Sequence, residues 1–141
     1  MGNDKSLLVR KAGKNIAIVQ DCSTVWEIGK GLIGKEEPVI NRHNLYEGLL
    51  LRIPVWRQQF SGLINSIHMI GMKYPISVFW ISCGRIVDKA IALPGFHIYS
   101  PSHPSSVVLE LPEKAFYELN VGDFITISNA NQSIHSQMEY A

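Results

Sequence analysis

Apolar positions recur along the chain at the spacing of β-strands. The segments SLLVR and IAIVQ, separated by the turn-rich KAGKN, predict an opening β-hairpin. Further strands are predicted at LLLRIPV, SIHMI, YPISVFWIS, IVDKAIAL, VVLEL and FITIS. Because most connections are short, we expect a compact antiparallel sheet that curls into a barrel-like shape.

The central strand is predicted to be covered on both faces. In YPISVFWIS, strand alternation points Ile76, Val78 and Trp80 one way. Phe79 and Ile81 point the other way. Apolar residues on both faces indicate a strand with packing on each side.

Two short helices are predicted beside the strands. The first lies in DCSTVWEIGKGLIG, which has a capping residue and apolar positions at helical spacing. The second is PEKAFYELN, with Pro112 in its first turn, where proline is best tolerated. The segment PGFHIYSPSHPSS is predicted to be an exposed loop. The fold class is therefore mostly β or α+β.

Composition is that of an ordinary globular protein. Of 141 residues, 46% are hydrophobic and 18% are charged, which suffices for one domain with a core. We expect a single domain over residues 1–128 and a polar C-terminal tail over 129–141. Thirteen basic and twelve acidic residues give a net charge of +1, so no nucleic-acid partner is predicted.

The sequence predicts neither a membrane span nor an export signal. No apolar run approaches the ~18 residues needed to cross a bilayer, and the first residues lack the apolar block of a signal peptide. We expect a cytoplasmic protein, or an exported one if a signal segment precedes this sequence. Cys22 and Cys83 fit no CxxC pattern and are expected to be reduced and unpaired.

His68 is the first candidate for chemistry. Within SIHMI, His68 and Ile70 are predicted on the face opposite Ile67 and Met69. A lone histidine in such a run is most often a hydrogen-bonded side chain at the edge of a core, which is the preferred interpretation. The alternative is a role in ligand contact or proton transfer.

Other reactive residues lack the spacing of a catalytic or metal site. HExxH, CxxC and paired i,i+4 histidines are absent from the sequence. No GxSxG elbow surrounds Ser77 or Ser82, and Cys83 is interpreted as a turn residue. No catalytic residue, metal ligand or cofactor is therefore predicted.

Two acids have predicted structural roles. Glu110 shares a strand face with Val108, and we expect it to form an ion pair, with Lys73 as a candidate partner. The alternative is a charged rim around a small pocket. Asp123 follows Gly122 in a turn, where aspartate commonly accepts backbone hydrogen bonds.

These segments together resemble a known family. Trp26, GLIGK, EGLLL, SIHMIGMKYPISVFWI, GRIV, VVLELP and NVGDFITI, in that order, are similar to the domain of unknown function family 192, an uncharacterised ancient conserved region of bacteria and archaea. The resemblance extends from about Ile16 to Ile127. It implies a compact β-rich domain with few helices, and the family has no established activity, cofactor or catalytic residue.

Four positions depart from the pattern of that family. Ser77 and Ser82 stand where the family has aspartates, Met69 replaces a threonine and Glu113 replaces a glycine. If those aspartates form a charged site in the relatives, this chain lacks it.

The sequence favours a small β-rich accessory domain that binds a partner protein or a small ligand. The candidate binding residues are His68, Met72, Lys73, Ser77 and Glu110, with Trp26 as a possible apolar wall. We expect such a surface to include an exposed apolar patch of several hundred Å². The alternative is an enzyme of unknown class with His68 as general base, which requires a pocket and a second polar group within hydrogen-bond reach.

Overall fold

β-Strands dominate the fold. A computed structural model describes residues 6–22, 43–59 and 66–131. The strands in these ranges are β1 Ser6–Lys11, β2 Lys14–Cys22, β3 Tyr46–Arg52, β4 Ile67–His68, β5 Ile76–Ser82, β6 Arg85–Ala92, β7 Ile98–Tyr99, β8 Val107–Pro112 and β9 Thr126–Asn129. Two 3₁₀ helices accompany them, Val55–Arg57 and Glu113–Tyr117.

Seven strands form one sheet in the order β6-β5-β8-β3-β2-β1-β9. The predicted opening hairpin is confirmed by β1 and β2, in which Leu8 lies opposite Ile18. The expectation of an antiparallel sheet is wrong at one pair, because β2 and β3 run parallel. The chain leaves β2 at Cys22 and enters β3 at Tyr46, which is the length of connection that a parallel pair requires.

The sheet curls into a half-barrel whose two edges meet at one end. Gly122 and Ile125 donate backbone hydrogen bonds to the carbonyls of Ile86 and Gly84, at 2.8 and 2.7 Å. Ile86 donates in turn to the carbonyl of Asp123, at 3.0 Å. We call this junction of the β5–β6 turn with the segment before β9 the closed end. The predicted β-rich, curled sheet is thus confirmed in outline.

Two apolar clusters cover the two faces of β5, as the alternation predicts. The first cluster contains Phe79 and Ile81, and the second contains Val78 and Trp80. Members of the first cluster on other elements include Val9, Leu50, Leu109, Ala115 and Leu119. Members of the second include Leu49, Leu51, Met69, Tyr74 and Val108. All residues of β5 from Ile76 to Ile81 are buried.

The tight turn predicted between β5 and β6 is confirmed. Cys83 and Gly84 take positive φ angles of 50° and 75°, as the two central residues of a type I′ hairpin turn do. This geometry holds Cys83 at the surface, while Cys22 is buried, and no disulfide joins the two.

Gly48 allows β3 and β8 to approach closely. A Cβ atom at this position would collide with the backbone carbonyl oxygen of Glu110 and lie 2.9 Å from Cδ2 of Leu111. Any residue larger than glycine would therefore force the two strands apart.

Several predicted elements differ from, or lie beyond, what the structure describes. The second predicted helix is present as the short 3₁₀ helix Glu113–Tyr117, whereas the first, with Trp26, lies outside the described residues. The predicted loop at 94–106 contains strand β7. Asn129, the first residue of the predicted tail, is the last residue of β9, and the tail beyond Asn131 is outside the described residues.

Within the three ranges that the structure describes, no helix has the length and apolar character to cross a membrane.

Candidate functional site

The two-stranded ribbon of β4 and β7 lies over the second cluster. Ile67 pairs with Tyr99, and His68 pairs with Ile98. Ile67 and Tyr99 pack against the second cluster. Because neighbouring residues of a strand point to opposite faces, His68 and Ile98 face outward. Both are exposed.

The carbonyl oxygen of Met69 joins the segments at the end of the ribbon. It accepts hydrogen bonds from the amides of Met72, at 3.1 Å, and Gly95, at 3.4 Å. The turn at 69–72 and the loop at 93–97 therefore lie side by side. The loop is also anchored at Leu93, whose amide donates to the Tyr99 hydroxyl at 2.8 Å.

Four large apolar side chains of these segments face solvent. Phe96 is 88% exposed, and Ile98, Leu93 and Ile70 are each about half exposed or more. The name ribbon surface denotes Ile70, Leu93, Phe96 and Ile98 together with the exposed His68 and His97. Most of this surface was not predicted from the sequence, because the segment PGFHIYSPSHPSS indicates only an exposed loop.

His68 does not lie at the edge of the core. The expectation of a packed histidine is wrong, because β4 is two residues long and belongs to the ribbon instead of the main sheet. The predicted alternation itself is confirmed, since Met69 is buried while His68 and Ile70 are exposed. The alternation correctly predicts which residues share a face. Which of the two faces meets the core depends on how the ribbon lies over the second cluster.

The other predicted site residues do not converge on one surface. Met72 packs against the second cluster, and Lys73 is exposed beside it. Ser77 is fully buried, and its hydroxyl lies 2.8 Å from the carbonyl oxygens of Pro112 and Glu113, where it ties β5 to the second 3₁₀ helix.

Glu110 and Ser77 belong to opposite faces of the sheet. Glu110 alternates with Leu109, a member of the first cluster, whereas Ser77 shares the face of Phe79 in that cluster. Glu110 is 5% exposed, and it interacts with another group of the chain. The ion pairs found between described residues are Lys11–Asp123 and Arg52–Asp21, so the expected pairing with Lys73 is not observed there.

Asp88, Ser102 and His103 form a constellation that the sequence analysis missed. The Ser102 amide and hydroxyl both donate to Oδ2 of Asp88 at 2.9 Å, and the hydroxyl lies 3.0 Å from Nδ1 of His103. In a catalytic triad the histidine lies between the serine and the acid, whereas here the serine contacts both. The arrangement fixes the loop at 100–103 instead of activating the hydroxyl.

A second cluster of polar side chains lies around the closed end. The Tyr46 hydroxyl donates to Oε1 of Glu118 at 2.7 Å, and burial together with this carboxylate raises the pKa of Tyr46 to about 12. Lys11 lies 2.8 Å from Oδ2 of Asp123, which also accepts the Asn120 amide. The Lys11 contact, followed by the Asn120 bond, lowers the pKa of Asp123. The predicted turn role of Asp123 is confirmed.

Lys89 fastens the edge strand β6 to the second 3₁₀ helix. Its ammonium donates to the carbonyls of Phe116 and Leu119 at 2.7 and 3.1 Å, and to Oδ1 of Asn120 at 3.2 Å. It also lies 3.9 Å from the centroid of the Phe116 ring, within the range of a cation–π contact. These three acceptors match the three N–H donors of the Lys89 ammonium group.

Exposed aromatic side chains at the closed end have partners in the same chain. The Arg85 guanidinium lies 4.3 Å above the Phe124 ring, and Tyr117 meets Phe116 edge-to-face at 5.3 Å. Among the described residues no ring or cation contact of this kind involves Phe96. Phe96 differs in this respect from Phe124 and Tyr117.

In the part of the chain that the structure describes, no three His, Cys, Asp or Glu side chains come together as a metal site.

Known proteins share the fold but not the sequence. No family model matches the chain, and no curated protein matches it. A crystal structure of a protein of unknown function from Novosphingobium aromaticivorans is similar, with a TM-score of 0.67 at 17% identity, covering 86% of this chain and 83% of that one. A second, of a "putative transcription regulator" from Sinorhizobium meliloti, has a TM-score of 0.69 at 17% identity, covering 86% of this chain and 91% of that one. At this identity the likeness shows the fold alone.

Proposed function

We propose that the protein is a small β-rich accessory domain that binds a partner protein through the ribbon surface. The observation that carries this proposal is the group of apolar side chains that project from adjacent segments there. Phe96 alone, an aromatic side chain of about 150–250 Å² that is 88% exposed, contributes more than about 100 Å² of exposed apolar area. Contiguous exposed apolar patches larger than a few hundred Å² are rare on monomers and are often functional.

The shape of the surface favours a protein over a small ligand. Small-molecule sites are concave and bury most of the ligand, so the side chains that line them are themselves sheltered. Phe96, at 88% exposure, projects and needs a partner that supplies the concave side. Aromatic anchors of this kind commonly dominate the binding energy of protein interfaces.

The enzyme alternative has less support. A general base requires a second polar group within hydrogen-bond reach of the reacting proton. Within the described ranges, the hydrogen bonds found do not include the ring of His68, which is exposed on the ribbon. His68 therefore supports binding better than proton transfer, although its role as a base stays a prediction.

We also propose membership of the domain of unknown function family 192. The order of SIHMIGMKYPISVFWI, VVLELP and NVGDFITI supports it, and so does the agreement of the β-rich fold with what that resemblance implies. Membership would not assign an activity.

Site-specific photo-crosslinking tests the binding proposal. Benzoylphenylalanine at position 96, in cells that express the chain, should yield one adduct of defined mass. Benzoylphenylalanine at position 124 is the matched control, because Phe124 is also exposed but is covered by Arg85. The adduct at position 96 should disappear when Ile98→Asp is added. Equal adducts from both positions, or none from position 96, would contradict the proposal.

A further inference from the structure

Carboxylates are nearly absent from the part of the chain that carries the ribbon surface. Between Gly48 and Leu109 the sequence contains one acidic residue, Asp88. The net charge of +1 for the whole chain does not show this uneven distribution of acidic residues, most of which lie in the first and last thirds of the sequence. Both strands of the ribbon and the loops beside them fall within the acid-poor stretch.

The single acid of this stretch is engaged within the chain. Oδ1 of Asp88 accepts the Lys89 amide at 2.9 Å, and Oδ2 accepts two hydrogen bonds from Ser102. The Asp88 carboxylate is therefore hydrogen-bonded to Lys89 and Ser102 of the same chain. It does not supply a negative charge to the ribbon surface.

Positively charged and hydrogen-bond-donating residues lie in the same segments of the chain as the apolar patch. Lys73 follows the turn at 69–72, which the carbonyl of Met69 holds beside the loop that bears Phe96. Lys73 is exposed, as are the imidazoles of His68 and His97. An imidazole donates at least one N–H hydrogen bond in either protonation state. All three side chains can donate hydrogen bonds to carboxylate oxygens.

The outer edge of β6 is poorly suited to the addition of another strand. At its start, Ile86 already bonds to the backbone of Gly122 and Asp123. Further along, the amide of Lys89 is bonded to the Asp88 carboxylate, and just beyond the strand the amide of Leu93 is bonded to the Tyr99 hydroxyl. Strand addition depends on a row of free backbone groups along an edge. A partner would therefore be held by side chains on the ribbon surface instead.

We infer that the partner of the ribbon surface presents an apolar segment flanked by carboxylates. Its apolar side chains would pack on Ile70, Leu93, Phe96 and Ile98, and its carboxylates would meet Lys73 and the two imidazoles. This inference rests on the proposed function. An anionic membrane fits less well, because surface attraction to such lipids typically uses four to eight Lys or Arg residues.

Two model peptides test this inference. One alternates Phe or Leu with Glu, and the other carries Lys in place of each Glu. Fluorescence anisotropy should show the acidic peptide binding at least about tenfold more tightly, with an affinity that falls as salt rises. Lys73→Glu should reverse the preference, whereas Lys114→Glu, the same charge change at an exposed position on the second 3₁₀ helix, should not. Phe96→Ser should weaken both peptides.

The outcomes separate the two proposals. Equal binding of both peptides that is lost in Phe96→Ser would overturn the acidic preference and leave the binding surface standing. Binding of neither peptide would overturn this inference, while the crosslink at position 96 would still report on the surface itself. Binding to phosphatidylglycerol vesicles without any peptide preference would replace the protein partner with a membrane.

Discussion

The closed end and the ribbon surface use their side chains in opposite ways. At the closed end, Lys11 and Lys89 bond to acceptors of the same chain, and Phe124 lies under a guanidinium. At the ribbon surface, Phe96 projects into solvent, and Lys73, three residues after Ile70 in the chain, is also exposed. The first arrangement stabilises the fold, whereas the second leaves side chains in contact with solvent. Under the proposed function, the two regions separate structural from binding roles.

The largest expected change in stability is for a substitution in the seven-stranded sheet, which connects the two regions. Gly48→Ala should destabilise the protein by about 4 kcal/mol or more, because the new Cβ would meet the backbone of Glu110, which cannot rotate away. Thermal unfolding followed by circular dichroism measures the loss. Gly13→Ala is the control, since nothing lies within 4 Å of its Cβ and only the strain of φ +77° remains, about 1 kcal/mol.

Gly48→Ala also tests whether the two regions form one unit. We expect a single transition, since the ribbon packs on the second cluster, which includes residues of the sheet. A ribbon that melted while the sheet persisted would contradict this expectation.

A lysine-to-methionine pair should distinguish the two regions directly. Lys89→Met should cost about 2–3 kcal/mol, because it leaves the carbonyls of Phe116 and Leu119 without their donor. Lys73→Met, close in the chain to Ile70 of the ribbon surface, should change stability by less than about 0.5 kcal/mol, because Lys73 is exposed. Urea denaturation gives both values. Similar losses in the two variants would contradict the division of roles.

The smallest expected effect is a pH dependence at the closed end. The pKa of Asp123 is lowered by Lys11, so the contribution of this carboxylate is present above its ordinary pKa of about 4 and is lost as the pH falls through the lowered value. The contribution should be below about 1 kcal/mol, since the pair is partly exposed. Denaturation midpoints from neutral to acidic pH should fall less steeply in Asp123→Asn. An unchanged slope in that variant would indicate that other groups carry the dependence.

Local patterns in the sequence predicted the described strands except β7, but they did not predict all of the strand pairings. The alternation around Phe79 identified a strand buried on both faces, and Gly84 identified its turn. The parallel pairing of β2 and β3 was not predicted, because short connections favour antiparallel neighbours and say nothing of a crossover. The pairing of β4 with β7 depends on residues 30 or more positions apart, which no local periodicity records.

The candidate site was predicted only in part for the same reason. His68 and Lys73 were identified, but Phe96 lies in a segment whose prolines and serines indicated an exposed loop. Exposure of an apolar side chain depends on what the rest of the chain leaves uncovered. The contacts of Lys89 likewise reach residues 27 or more positions away, as no motif would indicate.

The pairing of β1 with β9 also constrains how the protein is made. Leu7 lies opposite Asn129, so one flank of the first hairpin stays bare until β9 has left the ribosome. The earlier strands can collapse against each other before then, but the row of backbone bonds between β1 and β9 forms only after residue 129 has been made. Nascent chains stalled before Thr126 would therefore expose the edge of β1 that β9 covers in the folded sheet.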